Sequence, residues 1–153
     1  MRREFAKVIT ELAEKDDKIY LIVGDIGYKI FDEFREKFPD RFINIGLCEQ
    51  SMIGIAAGMA LSGLKPYVYT ITPFLIERPF EQVKVDIGIN NANVKLIGYA
   101  DYPKLGPTHS CYNLHMLDRM MDCYYPTDAY STECALNKIY KSNKPAFINL
   151  KKC

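Results

Sequence analysis

The sequence is poor in several features on which common protein functions depend. Its 153 residues include no tryptophan and only two histidines, and the formal net charge is +1. Lysine and arginine are mixed with aspartate and glutamate, so no basic face argues for nucleic acid or an anionic membrane. No apolar run approaches the length that spans a bilayer. We therefore expect neither nucleic acid nor a membrane as a partner.

The cysteines form no pattern typical of a disulfide framework. There are five, an odd number, and none forms a CxxC pair. The N terminus lacks the charged, apolar and cleavage regions of a signal peptide. With two histidines available, the chain has few ligands for zinc, and we expect no metal site in it. These absences favour the cytoplasm.

Length and composition indicate one ordinary globular domain. Hydrophobic residues make up 48% of the chain and charged residues 25%. A chain of this length can bury a proper core, but it is short for an enzyme that carries two sites. We expect residues 1–153 to form a single domain with no further domain after it.

Amphipathic segments alternate with short apolar runs, which is typical of an α/β fold. Such alternation predicts a mostly parallel sheet with helices on both faces. The predicted helices are Phe5 to Leu12, Phe31 to Phe38, Gln50 to Leu61, Glu77 to Ile89, Tyr112 to Met120 and Asp128 to Lys141, and the strands are Ile19 to Val23, Phe42 to Ile45, Tyr67 to Ile71, Val94 to Tyr99, Cys123 to Tyr125 and Ala146 to Leu150.

Glu49 is the one acidic residue in an uncharged segment rich in small residues, from Asn44 to Gly63. A predicted strand ends just before it and a helix begins just after it, so Glu49 lies at the carboxyl end of a strand. Ligands bind at this edge of α/β sheets. The alternative is that Glu49 only complements the helix dipole.

The residues around Glu49 resemble the pyrimidine-binding domain of transketolases and related thiamine-diphosphate enzymes. In that family the matching glutamate faces N1′ of the aminopyrimidine ring and favours the tautomer that takes the C2 proton. Glu49 would then be catalytic as well as cofactor-binding, and thiamine diphosphate would be the cofactor. The resemblance rests on Arg41, Asn44, Gly46, Glu49, Met52, Ala56, Gly58, Ala60, Gly63 and Pro66.

A second matching segment runs from Thr70 to Gln82 and resembles the family patterns Thr-Phe-x-x-Phe and Arg-x-x-Glu-Gln. The resemblance implies that Phe74 stacks on the aminopyrimidine and that Arg78 belongs to the cofactor site. Ile71 replaces the first phenylalanine of the pattern, so it can form an apolar wall but cannot stack. Phe74 as an ordinary core residue is the alternative.

The tetrapeptide from Gly106 to His109 reads Gly-Pro-Thr-His, as in transketolases. There the histidine contacts the sugar and assists proton transfer, a task that suits a group titrating near neutrality. His109 is therefore a candidate catalytic residue, and a solvated loop side chain is the alternative. Leu105 stands where transketolases usually carry an aspartate that binds a donor hydroxyl, which leaves the usual ketose donor in question.

Three charged residues outside these motifs also match family positions. Asp25 follows the first strand, where it could cap the next helix; the resemblance instead places it at a subunit interface beside the cofactor. Its surroundings are not the Gly-Asp-Gly that opens the diphosphate and magnesium motif. Arg2 and Lys152 fall near basic family positions and could meet a substrate phosphate, or they could be solvated surface charges.

The resemblance spans nearly the whole chain but includes no diphosphate-binding domain. It implies the pyrimidine-binding subunit of a split transketolase-like enzyme, which passes a ketol or acyl fragment to an aldehyde. A separate subunit would supply the diphosphate and Mg²⁺ site, self-association would give a heterotetramer, and the substrate would be a sugar or a 2-oxo acid. The alternatives are a β-subunit-like component of a 2-oxo acid dehydrogenase or decarboxylase, or a non-catalytic regulatory subunit.

Overall fold

The centre of the protein is one sheet of six strands. The computed structural model describes residues 1–151; Lys152 and Cys153 lie outside the described residues, so the expectation for Lys152 stays a prediction. The strands are β1 (Ile19–Val23), β2 (Phe42–Asn44), β3 (Lys65–Ile71), β4 (Lys95–Tyr99), β5 (Asp122–Tyr124) and β6 (Ala146–Leu150).

All neighbouring strands are parallel, in the order β2-β1-β3-β4-β6-β5. The register aligns the strand ends, because Val23 pairs with both Asn44 and Tyr69, and Tyr99 pairs with both Ile71 and Leu150. The carboxyl ends of β1, β2, β3, β4 and β6 therefore meet at one edge. The prediction of a mostly parallel α/β sheet is confirmed.

Helices cover both faces of the sheet. On one face α1, α2 and α6 pack on strand residues such as Tyr67, Ile97 and Ile148. On the other face α3, α4 and α5 pack on residues such as Val68, Leu96 and Phe147. The bounds are α1 (Arg2–Lys15), α2 (Asp32–Lys37), α3 (Glu49–Leu61), α4 (Thr72–Ile76), α5 (Phe80–Gln82, continued by a π-helical segment Val83–Ile89) and α6 (Ala129–Tyr140).

The predicted helix from Glu77 to Ile89 is wrong in its bounds. Helix α4 begins earlier, with Pro73 in its first turn. Proline is tolerated there because backbone N–H groups in the first turn of a helix have no acceptor within the helix. Pro79 then separates α4 from α5, because its ring cannot continue a helix. The break leaves Glu77 and Arg78 between two helices, where their side chains face the edge of the sheet that carries the candidate site.

The predicted helix from Tyr112 to Met120 is also wrong, since the structure has a series of turns there. Side chains in this stretch bind locally and compete with a helix. The Asn113 side chain accepts from the backbone N–H of His115 at 3.0 Å, and Asp118 accepts from the hydroxyl of Tyr125 at 2.6 Å. The latter bond lowers the pKa of Asp118, with a smaller contribution from His115.

Helix α4 lies unusually close to the sheet because β4 carries a glycine beneath it. A Cβ atom on Gly98 would come within 2.6 Å of Thr72 Oγ1 and 3.1 Å of the Phe147 ring. Thr72 donates a buried hydrogen bond to Asn149 on β6, 2.6 Å long. These contacts fix the position of α4, and hence of the residues that follow its last turn.

Two classes of feature are absent from residues 1–151. None of the described helices is both long and apolar enough to cross a bilayer. Within the same range, no three side chains among histidine, cysteine, aspartate and glutamate gather as a metal site would require. Cys48, Cys111, Cys123 and Cys134 are free thiols.

Candidate functional site

Glu49 is a buried carboxylate at the first residue of α3. Its side chain is only 6% exposed, and the loop before it turns sharply at Gly46, where φ is +80°. The thiol of Cys48, the residue at the helix cap, donates to the carbonyl of Ile45 at 2.9 Å and does not cap the helix. A buried carboxylate requires a partner to offset its lost hydration.

That partner is Arg78, whose Nη1 donates to Glu49 Oε1 at 2.8 Å. The same guanidinium lies over the ring of Phe74, with its central carbon 3.5 Å from the ring centre. Phe74 is 7% exposed and belongs to α4, whereas the side chain of Arg78 is 40% exposed. Charge pairing and a cation–π contact thus join Glu49 to Phe74 and Arg78, two neighbours that lie far from it in the sequence.

His109 joins this group from the loop after β4. Its ring contacts the Phe74 ring edge-on, with 4.8 Å between centroids and 68° between planes. The histidine ends a short 3₁₀ turn that starts at Pro107, just after Gly106 with φ of +107°. Thr108 Oγ1 lies 3.1 Å from His109 Nδ1, within hydrogen-bonding distance.

The loop that carries His109 has a further attachment that the sequence did not predict. The carboxylate of Glu77 accepts a hydrogen bond from the backbone N–H of Tyr112. Burial, and then the nearby Glu77 carboxylate, raise the pKa of the Cys111 thiol to about 12. Glu77 directly precedes Arg78, so the end of α4 binds both Glu49 and the histidine loop. No sequence signal identified Glu77, because its partner is a backbone group.

An open cavity of about 520 Å³ lies beside Glu49 and Arg78. It is bounded by the start of α3 and by the junction of α4 and α5. Its lining is mixed, with the charged pair Glu49 and Arg78 beside the polar Gln50 and Ser51 and the apolar Leu47, so it offers a ligand several hydrogen-bonding groups. Its lining residues are Leu47, Cys48, Glu49, Gln50, Ser51 and Arg78.

Asp25 lies in a different cavity, of about 380 Å³, at the ends of β1 and β2. It adopts a left-handed backbone conformation, with φ of +52°. The side-chain NH₂ of Asn44 donates to Asp25 Oδ1 at 3.3 Å. The side-chain oxygen of Asn44 accepts from the backbone N–H groups of Asp25 and Gly46 at 3.0 and 3.1 Å. Asp25 does not cap α2, whose first residues follow Phe31 without a side-chain cap.

The structure therefore brings together four of the six predicted site residues, Glu49, Phe74, Arg78 and His109. Ile71 ends β3 at the same edge of the sheet and is partly exposed, as an apolar wall residue would be. Asp25 shares the edge but not the cavity. Glu49 also lies in the first turn of α3, so complementation of the helix dipole acts alongside any other role.

Comparison with known sequences gives a consistent match. The sequence model of the family "Transketolase, pyrimidine binding domain" matches residues 1–153. An apulose-4-phosphate transketolase subunit from Phocaeicola vulgatus is 31% identical over 97% of this chain and 50% of its own length. The "6-deoxy-6-sulfo-D-fructose transketolase subunit SqwH" from a Clostridium species is 29% identical over 98% and 49%. The chain thus spans about half the length of these curated relatives.

Comparison with solved structures gives transketolases as well. The protein described as "Split gene transketolase, inactive beta4 tetramer" superposes with a TM-score of 0.87 at 28% identity, over 98% of this chain and 50% of that one. A Campylobacter jejuni transketolase gives a TM-score of 0.85 at 19% identity, over 98% of this chain and 25% of that chain, which supports the fold alone.

Proposed function

Because the chain belongs to the family of transketolase pyrimidine-binding domains, we propose that it supplies the pyrimidine-facing half of a thiamine-diphosphate site in a split transketolase. The observation that carries this proposal is the buried carboxylate of Glu49, placed beside the aromatic face of Phe74 at the carboxyl edge of a parallel sheet. A single buried carboxyl and a flat aromatic wall are the groups that an aminopyrimidine ring requires.

The residues present fit that half of the cofactor. Thiamine diphosphate supplies, when bound, a carbanion at C2 that attacks a carbonyl and holds the fragment to be transferred. Glu49 would hold a proton towards N1′ of the ring, and Phe74 would support the ring face. Ile71, at the end of β3, would complete an apolar wall. Arg78 would belong to the site through its pair with Glu49.

We propose that His109 acts on the substrate. Its ring contacts the Phe74 ring edge-on, so the two residues would border the same ligand. A histidine titrates near neutrality and can accept or donate a proton in either direction. Thr108 fixes the other ring nitrogen. The attachment of the loop through Tyr112 and Glu77 supports a fixed position for His109 over the site.

The other half of the site would come from another chain. Among the described residues no three side chains of histidine, cysteine, aspartate and glutamate gather as a metal site. We propose that a separate diphosphate-binding subunit holds the diphosphate and its Mg²⁺. Asp25, held by Asn44 at the neighbouring strand ends, would face that partner next to the cofactor. The free thiols of the described cysteines support a cytoplasmic location.

A second copy of this chain is proposed to pack on the outer face of α3. None of the exposed residues of α3 is charged, and Val85 and Ile89 add exposed apolar surface from the neighbouring π-helical segment, which also carries Lys84 and Asp86. A largely apolar face can meet its own copy about a two-fold axis. The tetramer named for the structural neighbour supports self-association, and two copies of each of the two chains would give a heterotetramer.

The names of the relatives and the residue at position 105 both bear on the substrate class. Their names refer to apulose-4-phosphate and to 6-deoxy-6-sulfo-D-fructose, which are sugars that carry an anionic group. A modified sugar is therefore preferred to a small 2-oxo acid, and a transketolase to a 2-oxo acid dehydrogenase. The exposed Leu105, which cannot accept a hydroxyl hydrogen bond, supports a donor different from the usual ketose.

The test uses a complex of this chain with a diphosphate-binding subunit. The gene for that subunit would be sought next to the gene for this chain, as a coding sequence that contains Gly-Asp-Gly followed by a downstream asparagine. We expect Glu49→Ala to reduce ketol transfer by about 10³-fold or more while assembly, measured by size-exclusion chromatography, is retained. Full activity of that variant would contradict the proposal. A purified complex without bound thiamine diphosphate would contradict it as well.

A further inference from the structure

Arg78 occupies the two contacts that a bound aminopyrimidine would need. Its guanidinium donates to Glu49 at 2.8 Å and lies 3.5 Å from the centre of the Phe74 ring. We propose that Arg78 is an internal stand-in for the aminopyrimidine, and that its side chain must leave the site before the cofactor binds. This inference rests on the proposed function, because it takes Glu49 and Phe74 to be the pyrimidine contacts.

The exchange is chemically reasonable because the two groups are alike. A guanidinium is flat and delocalised, stacks on aromatic faces and directs N–H donors edge-on at a carboxylate. An aminopyrimidine is also flat and bears its polar groups on the ring edge. At 3.5 Å from the Phe74 ring centre, the guanidinium leaves no space for a second flat group on that face. Arginine and cofactor therefore compete for the same place.

Of the three residues, Arg78 has the most freedom to move. Glu49 and Phe74 are 6% and 7% exposed and lie within α3 and α4, whereas 40% of the Arg78 side chain is exposed. Arg78 lies between α4 and α5, directly before Pro79. The cavity beside Glu49 opens next to its side chain, so rotation of that side chain would move the guanidinium towards solvent.

The same contact explains why Arg78 occupies the site in the free subunit. Glu49 is buried, and the ion pair with Arg78 offsets the hydration that its carboxylate loses. A ligand that displaces Arg78 must therefore supply its own hydrogen bond to Glu49, as the polar edge of an aminopyrimidine would.

The test measures the affinity of the isolated chain for thiamine, which carries the aminopyrimidine, by titration calorimetry. We expect Arg78→Ala to tighten binding by about tenfold or more, since a site blocked most of the time has an apparent affinity reduced by its open fraction. Arg78→Lys keeps the charge but loses the planar stack, and should fall between wild type and alanine. Arg119→Ala is the matched control, because Arg119 is exposed and precedes β5 at the opposite edge.

Equal or weaker binding by Arg78→Ala would overturn the inference and make Arg78 a direct cofactor contact. The proposed function would survive that result if Glu49→Ala abolished the binding that remained. No binding by any variant at millimolar thiamine would overturn the inference, whereas the proposed function is tested separately by the activity of Glu49→Ala in the two-chain complex.

A second readout does not depend on the variant folding. In the native chain, the NMR signal of Arg78 Nε–H should be shifted by the Phe74 ring, and thiamine should move it towards the signal of an exposed arginine such as Arg119. A signal that stays ring-shifted at thiamine saturation would overturn the inference.

Discussion

Helices α1 and α3 lie on opposite faces of the same sheet and differ sharply in their outer surfaces. The exposed residues of α1 are all charged, namely Arg3, Lys7, Glu11, Glu14 and Lys15. Those of α3 are all uncharged, namely Gln50, Ser51, Gly54, Ile55, Gly58 and Leu61. The first set is typical of a surface that stays in water, and the second of a surface that contacts protein.

The difference bears on function because α3 begins at Glu49. The uncharged face and the buried carboxylate belong to one helix, so a chain that docks on this face would lie next to the site. On α1 no comparable group is buried at the helix start. The contrast between the two helices supports a site that is completed by assembly, whereas α1 and its neighbours serve the stability of the subunit.

The larger of the effects expected on the two sides of the sheet comes from a charge placed on the α3 face. We predict that Gly58→Glu weakens self-association by about 100-fold or more, because an unpaired charge would be buried between copies. A Cβ on Gly58 would meet nothing within 4 Å, so the subunit itself should fold. Glutamate should even stabilise the helix relative to glycine. Sedimentation equilibrium and thermal unfolding measure the two effects.

The matched control is Lys7→Glu on α1, which changes the net charge more than Gly58→Glu does because it replaces a positive charge with a negative one. It should leave self-association unchanged, since α1 is expected to face water. Loss of association in Lys7→Glu, or normal association in Gly58→Glu, would reverse the roles assigned to the two helices.

A smaller effect is expected on the α1 side, from Lys95 at the start of β4. Its side chain is buried and donates to the carbonyls of Ser142 and Lys144 at 3.0 and 2.5 Å. Burial lowers the pKa of this lysine from 10.5 to about 8 in the folded chain. Between these values the unfolded chain binds the proton and the folded chain does not, so stability rises with pH.

We predict that the free energy of unfolding of wild type rises relative to Lys95→Met by about 2 kcal/mol between pH 8 and 9.5. This pH-dependent gain in the free energy of unfolding is complete above pH 10.5, and it is lost as the pH falls to the folded pKa of Lys95, about 8. Urea unfolding at several pH values measures it, and taking the difference between the proteins removes the titration of tyrosines. A difference independent of pH would contradict the assigned burial.

Much of the fold could be predicted from the sequence, because buried strands such as Ile19–Val23 and Ala146–Leu150 are apolar almost throughout and helices alternate with them. The errors occurred where local chemistry overrides periodicity. Pro79 delayed the start of the helix predicted from Glu77, which begins at Phe80, and side-chain bonds to Asn113 and Asp118 replaced another predicted helix with turns. Apolar spacing carries no information about either effect.

The site was predictable to the extent that motifs mark it. Glu49, Phe74 and His109 stood in recognisable segments, and the structure places them together with Arg78. The ion pair between Glu49 and Arg78 could not be predicted, since it depends on how α3 and α4 meet across 29 positions of sequence. The same holds for the bond between Glu77 and the backbone of Tyr112.

The most direct measurement of the central claim is the rate at which the C2 proton of bound thiamine diphosphate exchanges with deuterium. It would be followed by NMR in the complex of this chain with a diphosphate-binding subunit. If Glu49 activates the cofactor, Glu49→Gln should slow the exchange by about 10²- to 10⁴-fold while the cofactor stays bound. An unchanged exchange rate in a fully loaded Glu49→Gln complex would contradict the account.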